Sequence, residues 1–145
     1  MSKWATVSGL ILIGGIVAAA ISDHTLYAAD KKEVYVPPGA QKQALVNEPL
    51  RGADGQQITI DHYSLPPGWV GGRHYHSGPV YVYVLEGSFI MDEQGKPTQT
   101  LGAGSVYKEP IGTPMQARNL STSEPLKILV IQVTPKGEAL MYKAE

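Results

Sequence analysis

Short β-prone runs, each ended by glycine or proline, constrain the fold of this chain more than any other feature. The longest runs cover residues 58–65, 80–85 and 126–133, and the first is stopped by Pro66-Pro67-Gly68. The chain has 16 glycines, 11 prolines and 8 tyrosines but a single phenylalanine, a composition that suits turns and short strands. Evenly spaced strands of this kind predict an all-β domain, an antiparallel sandwich or barrel.

Shorter runs fill the spaces between the long ones. Residues 89–91 and 98–101 flank 92–96, which is typical of a hairpin loop, and residues 106–108 and 115–119 follow further turns. The segment after 134 reads as a helical turn or a loose tail.

Composition excludes several classes of function. The net charge of −1 offers no basic field for nucleic acid. The chain has no cysteine, so disulfides, thiolate metal sites and cysteine nucleophiles are excluded. Any metal would have to be bound through histidine, carboxylate, amide, methionine or water.

The first residues read as a secretory signal. Lys3 precedes an uncharged span over 4–21, and small residues follow it. We expect a signal peptide over 1–29, cut after Ser22, Ala28 or Ala29, and an exported protein that is periplasmic or secreted. The alternative is an uncleaved membrane anchor, because the span approaches the length needed to cross a bilayer.

Two segments carry a motif with fixed spacing. In the first, Gly68 is followed after five residues by His74 and His76, then after three by Val80 and after six by Gly87.

The second segment has the same kind of regularity. Gly104 is followed after five residues by Pro110, then by Gly112, Met115 and Asn119.

These segments resemble the two signature segments of the cupins, which are small β-barrels. Every fixed position matches except two: Val80 stands where the cupin pattern has glutamate, and Met115 stands where it has a third histidine. The resemblance covers residues 58–133 and implies a cupin-like double-stranded β-helix, or jelly-roll barrel. The expected organisation is therefore an N-terminal arm with an edge strand over 30–57, the barrel over 58–134 and a C-terminal tail over 135–145.

Alternation along a strand predicts which side chains face the barrel interior. The expected interior residues share even numbers: His74, His76, Val80, Val82 and Val84. The expected outward residues are Tyr81, Tyr83 and Leu85. Asn119 is expected to pin a loop through its amide.

The departures from the cupin pattern leave three hypotheses for the site. The resemblance implies a divalent metal held by three histidines and a glutamate, of which only His74 and His76 remain. First, the interior is an apolar pocket that binds an organic ligand or nothing. Second, His74, His76 and Met115 form a soft site suited to copper. Third, another side chain replaces the lost donors for a first-row transition metal, with His62 as the first candidate and Glu109 as a weaker one.

The function predicted is that of an exported cupin-domain protein that binds a small molecule, a metal ion or both. One alternative is a metal-dependent enzyme of the dioxygenase or isomerase type that uses His74 and His76. Another is a structural module that forms a homodimer through the outer surface around Tyr81 and Tyr83.

Overall fold

The computed structural model describes residues 32–145. The predicted signal peptide or anchor over 1–29 lies outside the described residues. Within 32–145 no helix has the length and apolar character that a bilayer crossing needs.

The described chain is all-β, as the sequence predicts, and its strands form two five-stranded sheets. The first sheet has the order β1-β2-β9-β4-β7, and the second has the order β10-β3-β8-β5-β6. Every pair of neighbouring strands in these sheets is antiparallel. The strands are β1 (Gln41–Pro49), β2 (Gln56–Leu65), β3 (His74–Tyr75), β4 (Val80–Glu86), β5 (Ser88–Glu93), β6 (Gln99–Gly102), β7 (Val106–Glu109), β8 (Met115–Arg118), β9 (Leu126–Pro135) and β10 (Tyr142–Lys143).

The interior is built by alternation along these strands. On β4 the even-numbered valines are almost wholly buried, whereas Tyr81, Tyr83 and Leu85 are exposed, which confirms the predicted faces. The two sheets enclose a core of aliphatic and aromatic side chains, among them Leu65, Phe89 and Leu126. Burial of this apolar surface is the main source of stability, at about 25 cal/mol per Å².

Both ends of the described chain are tied to the second sheet. The arm meets the tail where Val34 bridges to Tyr142 and the Tyr35 N–H donates to the Met141 carbonyl at 3.0 Å. The tail is neither a helical turn nor loose, because Tyr142 and Lys143 form β10 against β3. These contacts place the arm and the tail beside the histidines of the first motif.

Asn119 pins a loop, as predicted. Its side-chain Nδ2 donates to the carbonyls of Leu65, Pro66 and Glu124 at 3.0–3.2 Å. Its Oδ1 accepts from the Ser121 N–H at 3.1 Å. The side chain is 1 % exposed, so a buried amide joins the end of β2 to the loop before β9.

Candidate functional site

A small cavity lies inside the barrel against the two histidines of the first motif. Its volume is about 50 Å³, which is room for a few water molecules. Most of its wall is apolar, with Trp69 and Phe89 among the lining residues. The polar groups of the wall are concentrated in four side chains: His74, His76, Glu109 and Gln132.

His74 is held as a neutral imidazole. Its Nδ1 lies 3.0 Å from the Gly72 carbonyl, so Nδ1 carries the proton and donates it, and Nε2 has a free lone pair. Burial lowers the pKa of His74 below its usual value; the Gly72 hydrogen bond and the Glu109 charge oppose the shift, and His76 adds to it. The ring stacks on Tyr35 with centroids 5.0 Å apart, which fixes its orientation.

His76 is engaged at both nitrogens. Its Nδ1 donates to the Leu140 carbonyl at 2.9 Å, and its Nε2 lies 2.8 Å from Glu109 Oε2. The two side chains are 2 % and 5 % exposed, so their contact lies inside the barrel. Glu109, which directly precedes Pro110, thus reaches the site from β7.

Gln132 lies beside His76 and shares its carbonyl partner. Its Nε2 donates to the same Leu140 carbonyl and lies 3.2 Å from His76 Nδ1. A carbonyl has two lone pairs and can accept both donors, whereas two N–H groups cannot bond to each other. The shorter contact of Nδ1, 2.9 Å to the Leu140 carbonyl, makes it a donor, so the amide nitrogen lies beside it without a hydrogen bond and Nε2 is the nitrogen that faces Glu109.

The two imidazoles are oriented alike by the backbone. Each directs Nδ1–H to a main-chain carbonyl, and the rings lie 5.2 Å apart in an edge-on arrangement of 82°. Histidines that bind metals through Nε2 nearly always make such a bond from Nδ1, because it sets the tautomer and raises ligand basicity. The backbone therefore leaves both Nε2 atoms for other partners.

The candidate ligands do not form a preassembled metal site. Among residues 32–145, no group of three or more histidine and carboxylate side chains has the arrangement that would hold a metal ion. His76 Nε2 and Glu109 Oε2 bond to each other, so an ion bound by both would have to displace the proton between them.

The structure brings only some of the predicted site residues together. His74, His76 and Glu109 line the cavity. Met115 is 1 % exposed and pairs with His74 across β3 and β8, but it belongs to the apolar core and is not one of the residues that line the cavity.

His62 lies on the opposite face of its strand. On β2 the odd-numbered residues Thr59, Asp61, Tyr63 and Leu65 are buried, whereas His62 is half-buried on the outer face. His62, the first candidate for a replacement ligand, therefore lies outside the histidine cavity, on the same face as Ile58 and Ile60.

Two partners of His76 were not predicted from the sequence. Gln132 has the even parity of the inward residues of β9, a signal that could have found it. The Leu140 carbonyl is a backbone group of the tail, and no residue pattern marks such a contact.

A second buried acid lies away from the histidines. Glu93, 6 % exposed, accepts from Tyr107 Oη and pairs with Lys96 Nζ at 2.7 Å. Burial opposes ionisation of Glu93, but the hydrogen bonds from Lys96 and Tyr107 outweigh it and lower the pKa of this carboxyl. Glu93 is not among the residues that line the histidine cavity.

A family comparison matches the barrel region. The family model described as "Cupin domain" matches residues 61–132, which include β3, β4, β7 and β8 and therefore both motifs. The comparison with curated proteins finds no match.

Solved structures share the fold at low sequence identity. An RmlC-like cupin from Shewanella frigidimarina is 18% identical over 80% of this chain and 95% of its own, with a TM-score of 0.55. KdgF from Halomonas sp. is 23% identical over 68% and 83%, with a TM-score of 0.53. The DMSP lyase DddQ from Ruegeria pomeroyi is 21% identical over 68% of this chain but only 54% of its own, with a TM-score of 0.52. At these identities the similarity shows a shared fold.

Proposed function

The chain belongs to the cupin superfamily, and from this premise we propose that it is a metal-binding cupin whose ion is held by His74, His76 and Glu109. The observation that carries the proposal is the pair of Nδ1–H bonds to the carbonyls of Gly72 and Leu140. They leave Nε2 of His74 without a partner among the described residues, whereas Nε2 of His76 bonds to Glu109 Oε2 and becomes a ligand together with that carboxylate once the ion displaces the proton between them.

The size of the cavity supports an ion over an organic ligand. A space of about 50 Å³ holds an ion with a few waters, whereas pockets for small organic molecules span roughly 300–1,000 Å³. The apolar wall would exclude bulk water and strengthen the attraction between the ion and the carboxylate. We therefore propose binding and assign no reaction.

The donor set favours a first-row divalent metal over copper(I). Two imidazoles and one carboxylate suit zinc, iron or manganese, whereas copper(I) is selected by soft sulfur ligands. Met115, the thioether of the copper hypothesis, packs in the core instead of lining the cavity. A bound ion of this kind would act as a Lewis acid or lower the pKa of a bound water.

The test is metal content after reconstitution. Chelator-treated protein is dialysed without oxygen against Zn²⁺, Mn²⁺, Fe²⁺ or Cu⁺, and bound metal is counted by elemental analysis. We expect close to one equivalent of Zn²⁺, Mn²⁺ or Fe²⁺ in the wild type, and losses of at least about tenfold in affinity for His74→Ala and Glu109→Gln.

Matched controls keep the result interpretable. Glu93→Gln changes another buried glutamate that does not line this cavity, and Met115→Leu removes the thioether at nearly constant volume; both should bind metal as the wild type does. Wild-type protein that takes up no metal would overturn the proposal. Loss of copper binding in Met115→Leu alone would favour the soft site.

A homodimer through the outer face of the first sheet is a second candidate function, and the register of that sheet favours it. Two cross-strand rows of outward residues run over this face, and their apolar members are half-buried or exposed. The rows are Val46, Ile60, Ile131 and Tyr81, then His62, Leu129, Tyr83 and Val106. Light scattering should give a dimer mass that Tyr83→Lys reduces to a monomer, whereas Thr100→Lys on β6 leaves it unchanged.

We also propose that the protein is exported, because residues 1–29 have the pattern of a secretory signal. Mass spectrometry of the N-terminus in a periplasmic or secreted fraction tests it. Cleavage after Ser22, Ala28 or Ala29 is the expected result, and a full-length chain in the membrane fraction would support the anchor.

A further inference from the structure

Tyr35, on the arm that precedes β1, packs against the proposed metal ligand His74. The two rings are stacked, with centroids 5.0 Å apart and planes 10° apart, and Tyr35 is itself buried. The hydrogen bond from His74 Nδ1 to the Gly72 carbonyl holds one atom of the imidazole but leaves the ring free to tilt about that bond. A second ring against its face removes this freedom, so the two contacts together decide where Nε2 points.

The hydroxyl of Tyr35 holds the backbone beside that same carbonyl. Its oxygen accepts from the Gly72 N–H at 2.6 Å. The other end of this peptide unit is held as well, because the Gly71 carbonyl accepts from Gln116 Nε2 at 2.6 Å. Glycine backbone has more conformations open to it than that of any other residue. These bonds therefore restrain a glycine whose carbonyl would otherwise be free to turn away from His74.

The close approach of Tyr35 requires glycine at residue 72. A Cβ on Gly72 would lie 2.9 Å from Cε2 of Tyr35 and 3.4 Å from its Cζ and Oη. These atoms belong to a rigid side chain, so a larger residue at 72 would push the ring out of its place. Gly72 thus provides both the space for the ring of Tyr35 and the carbonyl for Nδ1 of His74.

The arm that carries Tyr35 is itself held by the tail that orients the second imidazole. The Tyr35 N–H donates to the Met141 carbonyl at 3.0 Å. The Leu140 carbonyl, one residue earlier in the tail, accepts from His76 Nδ1 at 2.9 Å. The orientations of His74 and His76 therefore both depend on the contact between these two segments.

We propose that Tyr35 is a positioning residue of the metal site, which holds the ring of His74 with Nε2 directed to the ion. This inference rests on the proposed metal site at His74, His76 and Glu109. Tyr35 is not among the residues that line the histidine cavity, so it acts through His74 and not as a ligand. Because the arm has to be docked for this contact to form, ion binding and arm docking stabilise each other.

The first test is the affinity of the full chain for Zn²⁺, measured by competition with a chromophoric chelator. Tyr35→Leu removes both the ring and the hydroxyl, and we expect a loss of about tenfold or more, the range found when a residue that orients a ligand is lost. Tyr35→Phe keeps the ring but leaves the Gly72 N–H without its acceptor, so we expect a smaller loss of about fivefold. Tyr75→Phe is the matched control, because Tyr75 stacks on Tyr142 and does not line the cavity; it should bind Zn²⁺ as the wild type does.

The second test separates orientation of the ring from stability of the fold. In metal-free protein at about pH 8, where imidazole is neutral, ¹⁵N NMR distinguishes the ring nitrogen that carries the proton from the one that does not. We expect a single Nδ1–H tautomer of His74 in the wild type and in Tyr75→Phe. Tyr35→Leu should give a mixture of both tautomers, and Tyr35→Phe a smaller proportion of the second one. A loss of stability alone would not change the tautomer in the folded protein.

The coupling of ion binding to arm docking has a measurement of its own. Zn²⁺ should slow amide hydrogen exchange of the Tyr35 N–H, which donates to Met141, because binding stabilises the docked arm.

Three outcomes would overturn the inference. One is that Tyr35→Leu keeps the single tautomer of His74. A second is that Tyr35→Leu binds Zn²⁺ as tightly as Tyr75→Phe does. The third is that Zn²⁺ leaves exchange of the Tyr35 N–H unchanged. If Tyr35→Leu does not fold, Tyr35→Phe is judged by the same measurements. Wild-type protein that binds no Zn²⁺ would instead contradict the proposed metal site, and the spectra of the metal-free variants would still decide whether Tyr35 orients His74.

Discussion

Glu109 Oε2 and His76 Nε2 lie 2.8 Å apart, and both side chains are almost wholly excluded from solvent. A buried pair of this kind stabilises the fold little compared with a well-packed apolar pair, but loss of one partner leaves the other without compensation. Removal of either side chain should therefore lower the stability of the fold more than the intact pair raises it.

We expect Glu109→Ala to lower the free energy of unfolding by about 3 kcal/mol in chelator-treated protein, because it leaves His76 unpaired in the core. The measurement is urea unfolding. Glu86→Ala removes an exposed pair with Lys127 and should cost at most about 1 kcal/mol. Equal losses in the two variants would show that the buried pair does not form.

We predict that ionisation of the Glu93 carboxyl makes the stability of the fold depend on pH. Its pKa is lowered in the folded state, so its contribution is complete above the unfolded value of about 4.5 and is lost as the pH falls through the folded value. The stability difference between wild type and Glu93→Gln should therefore shrink from about pH 6 to pH 3. Lys96→Met and Tyr107→Phe should each reduce this change, and a difference that is constant with pH would contradict the prediction.

Asn119 offers a test of the loop anchor. Asn119→Asp replaces an amide donor, bonded to the carbonyls of Leu65, Pro66 and Glu124, with a group that cannot donate when ionised. We expect a loss of about 3 kcal/mol or more in the free energy of unfolding. Gln43→Glu, at an exposed residue on the outer face of β1, should change it by no more than about 0.5 kcal/mol.

Gly78 is required by packing. A Cβ placed there would lie 2.0 Å from the Val133 carbonyl oxygen, so backbone would have to move. Gly78→Ala should lower the melting temperature by several degrees, the shift expected for a loss of about 1 kcal/mol or more. Gly102→Ala meets no atom within 4 Å and should leave it nearly unchanged; an unaffected Gly78→Ala would contradict the observed approach of the two segments.

Alternation was sufficient to predict β4 and the inward histidines, because apolar and polar residues on these strands follow the two faces of the sheet. It left the two faces of β2 unassigned, and the structure gives the physical reason. The interior side of β2 carries the buried polar residues Thr59 and Asp61, whereas Ile60 is half-buried on the outer face. Apolar burial alone does not identify the inner face of a strand whose buried side chains are partly polar.

The site itself was predictable only in part. The motif spacing predicted His74 and His76 as ligands. Val80 stands where the cupin pattern has glutamate, which indicated that another side chain would have to replace that ligand. Glu109 pairs with Val80 across β4 and β7, so the carboxylate enters from the neighbouring strand. The residue that lies opposite Val80 depends on the register between the two strands. The spacing of residues along one strand does not give that register.

The Leu140 carbonyl that orients His76 follows nine of the ten strands in chain order. A chain that emerges N-terminus first, from the ribosome or from the export machinery, presents both imidazoles before the group that aligns them. Capture of an ion would therefore be a late event in biosynthesis, timed by the arrival of the last segment.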